Sequence, residues 1–223
     1  MQKAVIIVAG GSGSRLGSDI PKQFLKLKGK PILFHTIEKF HNANHDMKII
    51  VVLPKRQVIY WEELKRKYRF DLPHQIVAGG KSRFESVKNG MALISEECVV
   101  GIHDAVRPLI TEKIIRQLFS AAEKIGNAIP YSPCKDSIRK IENNKNKAVP
   151  REQYVLIQTP QCFLWSKIKK GYLAEEEPQF TDDASVFEFL GGKINLVKGD
   201  AHNIKITYPS DLLFAEALLS IKD

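Results

Sequence analysis

The chain begins with a short apolar run that leads directly into a loop rich in glycine. Residues 4–8 are all apolar, and they are followed by the segment Ala9-Gly10-Gly11-Ser12-Gly13-Ser14-Arg15-Leu16-Gly17. This pattern predicts a buried strand that opens into a turn whose exposed N–H groups suit phosphate oxygens. Glycine also lets the backbone approach a ligand closely. Because Arg15 and Lys22 add positive charge nearby, the segment predicts a site for nucleotide phosphates.

The glycine loop differs from two common phosphate-binding loops. No Lys-Ser or Lys-Thr pair follows the glycines, so the loop is not a P-loop. Its G-S-G-S-R-L-G run is one residue longer than the dinucleotide fingerprint, and no acidic residue is convincingly placed about 20 positions later. The alternative is an ordinary strand-to-helix turn, so the interpretation depends on the rest of the chain.

Length and composition predict one globular domain. The 223 residues, 43% of them hydrophobic, can form one sizeable core over residues 1–223. No apolar run approaches the roughly 20 residues that span a bilayer, and the start lacks the features of a secretory leader. Cys98, Cys134 and Cys162 are scattered without metal-ligand spacing, which indicates unpaired thiols in a reducing compartment. We therefore expect a cytoplasmic protein without a membrane partner.

The net charge of +9 raises the possibility of a nucleic-acid partner. However, the basic residues are spread along the chain, and no basic stripe is interleaved with aromatic residues. The runs at 65–67 and 167–170 are typical of solvated helix faces. An anionic small-molecule substrate accounts for a positive cleft equally well, so we expect no nucleic-acid partner.

Strand-like and helix-like segments alternate along the chain. Helical spacing of apolar residues predicts helices at 32–40, 58–68, 82–94 and 114–125. Apolar runs predict strands between them, at 4–8, 49–53, 75–78, 98–103, 128–130 and 194–197. This alternation indicates an α/β fold with a mainly parallel sheet covered by helices on both faces. Ligands of such sheets bind at the carboxyl ends of the strands, where the glycine loop falls.

Residues 132–157 interrupt this alternation. Segments 136–141 and 153–157 flank a polar tip at 142–147, which predicts a projecting β-hairpin. A two-stranded hairpin is marginal alone and needs a partner surface. We expect the partner to be the same arm of a second subunit in a twofold dimer. The alternative is a hairpin folded back on its own domain.

Further polar clusters follow the predicted strands. The turn Gly79-Gly80 leads into a helix start containing Ser86, which suits a nucleotide base or ribose. Asp104 ends a strand, where one carboxylate is suited to hold Mg²⁺ against phosphates. The remaining clusters are Gln158-Thr159-Pro160-Gln161, Thr181-Asp182-Asp183-Ala184-Ser185 and Asn203-Ile204-Lys205-Ile206-Thr207.

Each cluster also has a structural interpretation. Asp104 could cap a turn, and Thr181 or Asp182 could cap a helix at 184–190. His103 is expected to be a structural hydrogen-bonding group rather than a general base. No Ser/His/Asp or Cys/His relay is present, so we expect a reaction without a covalent intermediate.

Taken in order, the motifs AGGSGSRLG, PKQF, GGKSRFESV, HDAVRP, QTPQ, TDDAS and NIKIT extend from residue 4 to about 215. This ordered set resembles the 2-C-methyl-D-erythritol 4-phosphate cytidylyltransferase family of the non-mevalonate isoprenoid pathway. The resemblance implies a Rossmann-like α/β body whose β-arm, at about 132–157, is exchanged across a homodimer. It also implies a transfer of the cytidylyl group from CTP to the polyol phosphate, with release of pyrophosphate.

The resemblance implies a role for each matching residue. The triphosphate of CTP would lie in the loop formed by Ala9, Gly10, Gly11, Ser12 and Gly13. The transition-state cations would be Arg15, Lys22 and Lys205, and Asp104 would bind Mg²⁺ or another divalent ion. The cytosine would contact Gly79, Gly80 and Ser86. Methylerythritol phosphate would contact Arg107, Thr181 and, from the partner's arm, Ser137 and Arg151.

Other functions remain open from the sequence. Ribitol-5-phosphate cytidylyltransferases often show the HDAVRP motif, whereas the erythritol branch often has Ala-Ala where this chain has Ala105-Val106. The TDDAS motif resembles the erythritol branch more closely, which favours methylerythritol phosphate. A non-catalytic nucleotide-binding protein and a nicotinamide oxidoreductase are further alternatives. The combination of Lys22, Asp104 and Lys205 with Arg15 favours an enzyme, because mere binding does not require a full set of charge-cancelling groups.

Overall fold

The computed structural model describes residues 1–10 and 20–221. Its helices are α1 (Ile32–Ala43), α2 (Val58–Tyr68), α3 (Arg83–Met91), α4 (Glu112–Ile125), α5 (Trp165–Leu173), α6 (Asp183–Phe189) and α7 (Pro209–Ile221). Its strands are β1 (Gln2–Val8), β2 (Lys26–Leu27), β3 (Lys30–Pro31), β4 (Lys48–Leu53), β5 (Gln75–Ala78), β6 (Cys98–Asp104), β7 (Asn127–Pro133), β8 (Ile138–Glu142), β9 (Lys145–Val149), β10 (Val155–Ile157), β11 (Gln161–Leu164) and β12 (Leu196–Lys198). Each strand and helix predicted in the α/β body is present, with ends shifted by a few residues.

The main sheet is mostly parallel, as predicted. Its strand order in the described part of the chain is β10-β7-β11-β6-β1-β4-β5, and β12 also pairs with β7. β6, β1, β4 and β5 run parallel to one another. β11 lies antiparallel between β6 and β7, and β10 is antiparallel to β7. The chain passes from β1 to β4 and β5 on one side, then returns to β6 on the other.

Helices cover both faces of this sheet, because alternate residues of each strand point to opposite sides. On one face, Val5 and Ile7 pack with residues of α1, α2 and α4. On the other face, Ala4 and Ile6 pack with residues of α3, α5 and α6. A third buried cluster, which includes Val106, lies beneath α7. The continuous burial of β1, β4 and β6 explains why their sequences are apolar runs rather than alternating patterns.

The arm is a hairpin, but its second strand was predicted wrongly. β8 pairs with β9 across a turn at Asn143 and Asn144, whose φ angles are +48° and +61°. Two positive φ angles are those of a two-residue hairpin turn, which asparagine tolerates. Residues 145–147 therefore belong to a strand rather than to the tip. Val155–Ile157 instead pairs with β7 and extends the main sheet.

Among the described helices, none is long and apolar enough to cross a membrane.

Candidate active site

A cleft of about 260 Å³ lies at the carboxyl ends of β1, β4, β5 and β6. The strand order reverses at β1, because the chain adds β4 and β5 on one side of it and β6 on the other, and ligands of open α/β sheets bind at such a point. Residues that follow these strands or face their ends line the cleft: Ala9, Gly10, Lys22, Gln23, Pro54, Gly79, Gly80, Lys81, Ser82, Arg83, Ser86, Asp104, Ala105, Val106 and Lys205, with Val8 from β1. The structure therefore brings together eight of the predicted site residues.

Gln23 holds the residue that follows β1, Ala9. The Ala9 N–H donates to the Val52 carbonyl at 2.9 Å, which continues the sheet past the end of β1. The buried Gln23 amide donates to the Ala9 carbonyl at 2.7 Å and to Gln57 Oε1 at 2.6 Å. These bonds place Lys22 in the same cleft as Ala9 and Gly10. Four predicted site residues of this loop, Gly11, Ser12, Gly13 and Arg15, lie outside the described residues.

The second glycine turn forms the opposite wall. The Gly80 N–H donates to Ser86 Oγ at 3.2 Å, and that hydroxyl donates to the Ser82 carbonyl at 2.8 Å. A Cβ on Gly79 would lie 2.9 Å from Ser86 Oγ, and one on Gly80 would lie 2.2 Å from Glu85 Cβ. Both positions therefore require glycine. The closed turn leaves the start of α3 facing the cleft.

Asp104 lies among three cations. Lys205 Nζ is 2.8 Å from Asp104 Oδ2, and Arg107 Nε is 3.6 Å from the same oxygen. Arg83 Nε is 3.8 Å from the other oxygen, Oδ1. Burial alone would raise the pKa of Asp104, but the charges of Arg83, Lys205 and Arg107 lower it well below its ordinary value. The carboxylate is therefore ionised throughout the physiological range.

Arg83 is a site residue that the sequence analysis missed. Its two terminal nitrogens donate to Asp183 Oδ1 and Oδ2 at 2.8 and 2.6 Å. Asp183 is fully buried and also accepts from the Tyr172 hydroxyl at 2.5 Å. Burial alone would lower the pKa of Arg83, but the charge of Asp183 raises it above its ordinary value. The GGKSRFESV motif contained this arginine, but no local pattern linked it to a partner 100 positions away.

The QTPQ motif connects the other clusters. Thr159 Oγ1 accepts from the Asp104 N–H at 3.1 Å, which fixes the end of β6. Gln161 donates to Asp182 Oδ2 and accepts from the Ala184 N–H, both at 2.8 Å, and so holds the start of α6. Asn203 donates to the Thr159 carbonyl at 2.9 Å, which joins the NIKIT segment to the same motif.

Arg107 connects this network to Asp104. Its Nη1 donates to the Asn203 carbonyl at 2.7 Å, while its Nε faces Asp104. Burial lowers the pKa of Arg107, and Asp104 opposes that shift. Arg107 does not line the cleft directly, and it is linked to the cleft through Asp104.

His103 is a structural residue, as predicted. It is fully buried; its Nδ1 lies 3.0 Å from Thr159 Oγ1 and its Nε2 lies 3.2 Å from the Arg107 carbonyl. Burial lowers its pKa to about 3. A neutral imidazole without access to the cleft cannot relay a proton from a substrate.

The lowered pKa of His103 predicts a pH-dependent stability. Below its ordinary pKa of 6.5, the unfolded chain takes up a proton here that the folded chain does not. The free energy of unfolding should therefore fall by up to about 1.4 kcal/mol per pH unit between about pH 6 and pH 4. Denaturant titrations at several pH values should show a steeper fall in the free energy of unfolding for the wild type than for His103→Asn. His35 and His74, whose pKa values burial also lowers, remain in both proteins. Equal slopes of the free energy of unfolding against pH in the two proteins would contradict the lowered pKa of His103.

Three predicted substrate residues lie away from the cleft of their own chain. Thr181 is exposed just before α6, and Asp182 is the residue that caps this helix, by accepting from the Ser185 N–H at 2.9 Å. Ser137 and Arg151 are exposed at the base of the arm, where Arg151 donates to the Lys135 carbonyl at 2.7 Å. The capping role is thus confirmed for Asp182 rather than for Thr181.

Asp104 is the carboxylate of the cleft that could hold a divalent cation. The described residues contain no group of three or more His, Cys, Asp or Glu side chains arranged as a metal site. Mg²⁺ commonly binds one or two carboxylates and completes its octahedron with phosphate oxygens and water. A single ionised carboxylate on the wall of an open cleft fits that ion when a phosphate ligand supplies further oxygens.

Comparison with known proteins assigns the family. The family model described as 2-C-methyl-D-erythritol 4-phosphate cytidylyltransferase matches residues 3–221. The chain belongs to the 2-C-methyl-D-erythritol 4-phosphate cytidylyltransferase family. A curated member from Azobacteroides pseudotrichonymphae is 48% identical over 98% of this chain and 99% of its own. A member from Halalkalibacterium halodurans is 39% identical over 100% of this chain and 99% of its own.

Solved structures support the same assignment at the level of the fold. The 4-diphosphocytidyl-2C-methyl-D-erythritol synthase of Anaerococcus prevotii superposes with a TM-score of 0.83 at 28% identity, covering 98% of this chain and 96% of its own. The 2-C-methyl-D-erythritol 4-phosphate cytidylyltransferase of Thermus thermophilus gives a TM-score of 0.80 at 29% identity, covering 99% and 100%. The Rossmann-like α/β fold expected from the sequence is therefore confirmed.

Proposed function

We infer that this chain transfers the cytidylyl group of CTP to 2-C-methyl-D-erythritol 4-phosphate, which gives 4-diphosphocytidyl-2-C-methyl-D-erythritol and pyrophosphate. Family membership over residues 3–221 supports the reaction. The observation that carries it at the site is the cleft lined by Ala9-Gly10 and Gly79-Gly80, with Lys22, Asp104 and Lys205 on its walls. Such a cleft suits a nucleoside triphosphate and a second anion.

The reaction requires charge cancellation rather than a strong base. The phosphomonoester of the polyol is already an anion, and its oxygen attacks the α-phosphorus of CTP in line as pyrophosphate leaves. The bond to the attacking oxygen forms while the bond to pyrophosphate breaks. Two anions must approach, so the site must position them and neutralise their charge. We assign that neutralisation to Arg15, Lys22 and Lys205.

The nucleotide is assigned to the two glycine turns. We assign the triphosphate to the segment Ala9, Gly10, Gly11, Ser12 and Gly13, because backbone N–H groups of a glycine-rich segment after a strand can donate to phosphate oxygens. We assign the cytosine to Gly79, Gly80 and Ser86, which line the cleft at the second glycine turn. Asp104 would hold Mg²⁺ or another divalent ion, which would withdraw charge from the phosphates when bound.

The polyol phosphate is assigned to Arg107 and Thr181 of one chain and to Ser137 and Arg151 of its partner. This assignment requires a homodimer built through the arm. Supporting it, Ile141 of the arm and Leu156 of β10 are 76% and 58% exposed, and a partner's arm would cover such apolar side chains. We likewise infer that residues 1–223 act as one nucleotidyltransferase domain in the cytoplasm.

Mixing experiments test whether the partner's arm completes the site. Lys22→Ala and Arg151→Ala should each be nearly inactive as homodimers. If Arg151 acts on the partner's cleft, half of the randomly mixed dimers contain one site with both residues intact. Mixed dimers, prepared by co-unfolding and refolding, should then recover about a quarter of wild-type activity. If the mixed dimers recover no activity under conditions in which the wild type refolds fully, the arm serves its own chain.

A second candidate acceptor is ribitol 5-phosphate, because of the Ala105-Val106 pair. In the structure Val106 is 4% exposed and belongs to the core cluster beneath α7. Its size is therefore set at least partly by packing, which weakens the pair as a marker of the acceptor. The names of the curated relatives favour methylerythritol phosphate.

Pyrophosphate release tests the function directly. CTP should give pyrophosphate with 2-C-methyl-D-erythritol 4-phosphate, much more slowly with ribitol 5-phosphate, and not without an acceptor. Release with ribitol 5-phosphate alone would assign the other branch. CTP binding without release for a panel of sugar and polyol phosphates would indicate a non-catalytic nucleotide-binding protein. Binding of NAD in place of CTP would favour an oxidoreductase.

A further inference from the structure

Three consecutive residues at the start of α3 connect the second glycine turn to the segment that leads into α6. Ser82 Oγ donates to Glu176 Oε2 at 2.6 Å, and the Phe84 ring stacks on the Phe180 ring with centroids 5.5 Å apart. Between them, Arg83 makes its two bonds to Asp183. Arg83 is the residue of the three that also faces a charged group of the cleft.

The contacts of Arg83 are divided between two carboxylates. Both terminal nitrogens of the guanidinium are used by Asp183, which leaves the Nε edge directed at Asp104. The Asp183 end is rigid, because the carboxylate is fully buried and its Oδ1 also accepts from Tyr172. A bidentate arginine pair fixes the plane of the guanidinium as well as its position. Arg83 is therefore held in one orientation at the wall of the cleft.

The orientation of Arg83 bears on how Asp104 presents its oxygens. Arg83 Nε faces Oδ1, whereas Lys205 Nζ and Arg107 Nε both face Oδ2. A cation fixed on the Oδ1 side opposes rotation of the carboxylate and keeps Oδ2 toward Lys205. The Lys205 side chain is 43% exposed, so its contact with Asp104 is what restrains its ammonium group in the cleft.

We propose that Arg83 is a positioning residue of the cytidylyl transfer: anchored by Asp183 and Tyr172, it fixes the Asp104 carboxylate and, through it, the ammonium group of Lys205. This inference rests on the proposed function, because it concerns how Lys205 meets the reacting phosphates. It gives the TDDAS motif a second role besides capping α6, since Asp183 serves the cleft through Arg83.

The test must separate positioning from simple structural support. Replacing Arg83 alone leaves the buried charge of Asp183 uncompensated, which endangers the fold. The double variant Arg83→Met with Asp183→Asn removes both charges, and the asparagine oxygen still accepts from Tyr172. Arg83→Lys is the conservative variant, because it retains a positive charge but not the planar fork. Arg66→Gln, at an exposed position of α2, is the matched control for loss of an arginine.

Steady-state kinetics with CTP and 2-C-methyl-D-erythritol 4-phosphate should separate the variants. Misplacement of catalytic groups by about 1 Å can cost about a hundredfold in rate. We therefore expect kcat of the double variant to fall by about 30-fold or more, with KM for CTP changed by less than about threefold. Arg83→Lys should lose about tenfold in kcat with a similarly small change in KM, and Arg66→Gln should match wild type.

The outcomes are distinct. A kcat within about twofold of wild type, for the folded double variant or for Arg83→Lys, would overturn the inference. If thermal unfolding shows that the double variant does not fold, the kcat of Arg83→Lys relative to wild type alone tests the inference. A loss confined to KM for CTP would also overturn it, because it would indicate uniform nucleotide binding. Absence of pyrophosphate release by the wild-type protein would instead refute the proposed function.

Discussion

Replacing Lys22 with alanine is expected to lower kcat by about a thousandfold while leaving the fold intact. Lys22 lies on the wall of the cleft with Ala9 and Gly10, where the proposed function places the α-phosphate of CTP. Removing one fixed donor or cation that acts in the transition state typically costs about 10²–10⁵ in rate. Lys22→Ala leaves in place the Gln23 bond to the Ala9 carbonyl and the bond from the Leu25 N–H to the carbonyl of residue 22, so we expect thermal unfolding to change little.

Lys26→Ala provides the matched control for this prediction. Lys26 is an exposed lysine on β2, four positions away and outside the cleft lining. Its removal should leave kcat within about twofold of wild type. Steady-state pyrophosphate release and thermal unfolding should be measured for both variants. Near-normal turnover by Lys22→Ala would show that this lysine does not act in the transition state.

Replacing Asp104 with asparagine is expected to have a similarly large effect, for a different reason. The carboxylate is the common partner of Arg83, Arg107 and Lys205, and asparagine has nearly the same shape without the charge. Its loss removes the proposed metal ligand and leaves the cations without the anion that holds them. We expect kcat to fall by about a hundredfold to a thousandfold.

The metal requirement provides an independent readout for Asp104. Titration of Mg²⁺ at fixed CTP should give a raised half-saturation concentration in Asp104→Asn. Asp46→Asn, which removes an exposed carboxylate between α1 and β4, should behave as wild type. An unchanged kcat together with an unchanged Mg²⁺ titration in Asp104→Asn would refute both roles of this carboxylate.

The α/β body could be predicted from the sequence because its signals are local. β1, β4 and β6 are buried on both sides, which makes each an unbroken apolar run. The cleft also followed, because the carboxyl ends of parallel strands lie on one edge of the sheet. The first glycine loop and Asp104, although far apart in sequence, were therefore expected at the same edge of the sheet.

The remaining features depend on contacts that no local pattern records. The pairing of Arg83 with Asp183 spans 100 residues and depends on how α3 packs against α5 and α5 against α6. In the arm, the polar strand β9 lacks an apolar signal because its residues are mostly exposed. The sequence analysis assigned the apolar segment 155–157 to the hairpin because of its apolar signal, whereas it pairs with β7 in the main sheet. The α7 helix, which is hydrophobic around most of its circumference, gave no helical periodicity to detect.

Isotope exchange between labelled pyrophosphate and CTP tests the central claim most directly. That claim is direct attack of the polyol phosphate on the α-phosphorus, with fixed cations and no covalent cytidylyl-enzyme. With enzyme, Mg²⁺, CTP and labelled pyrophosphate but no polyol phosphate, no label should enter CTP. Adding 4-diphosphocytidyl-2-C-methyl-D-erythritol should start label incorporation through the reverse reaction, which verifies that the enzyme is active. Label in CTP without either polyol compound would reveal a covalent intermediate and contradict the account.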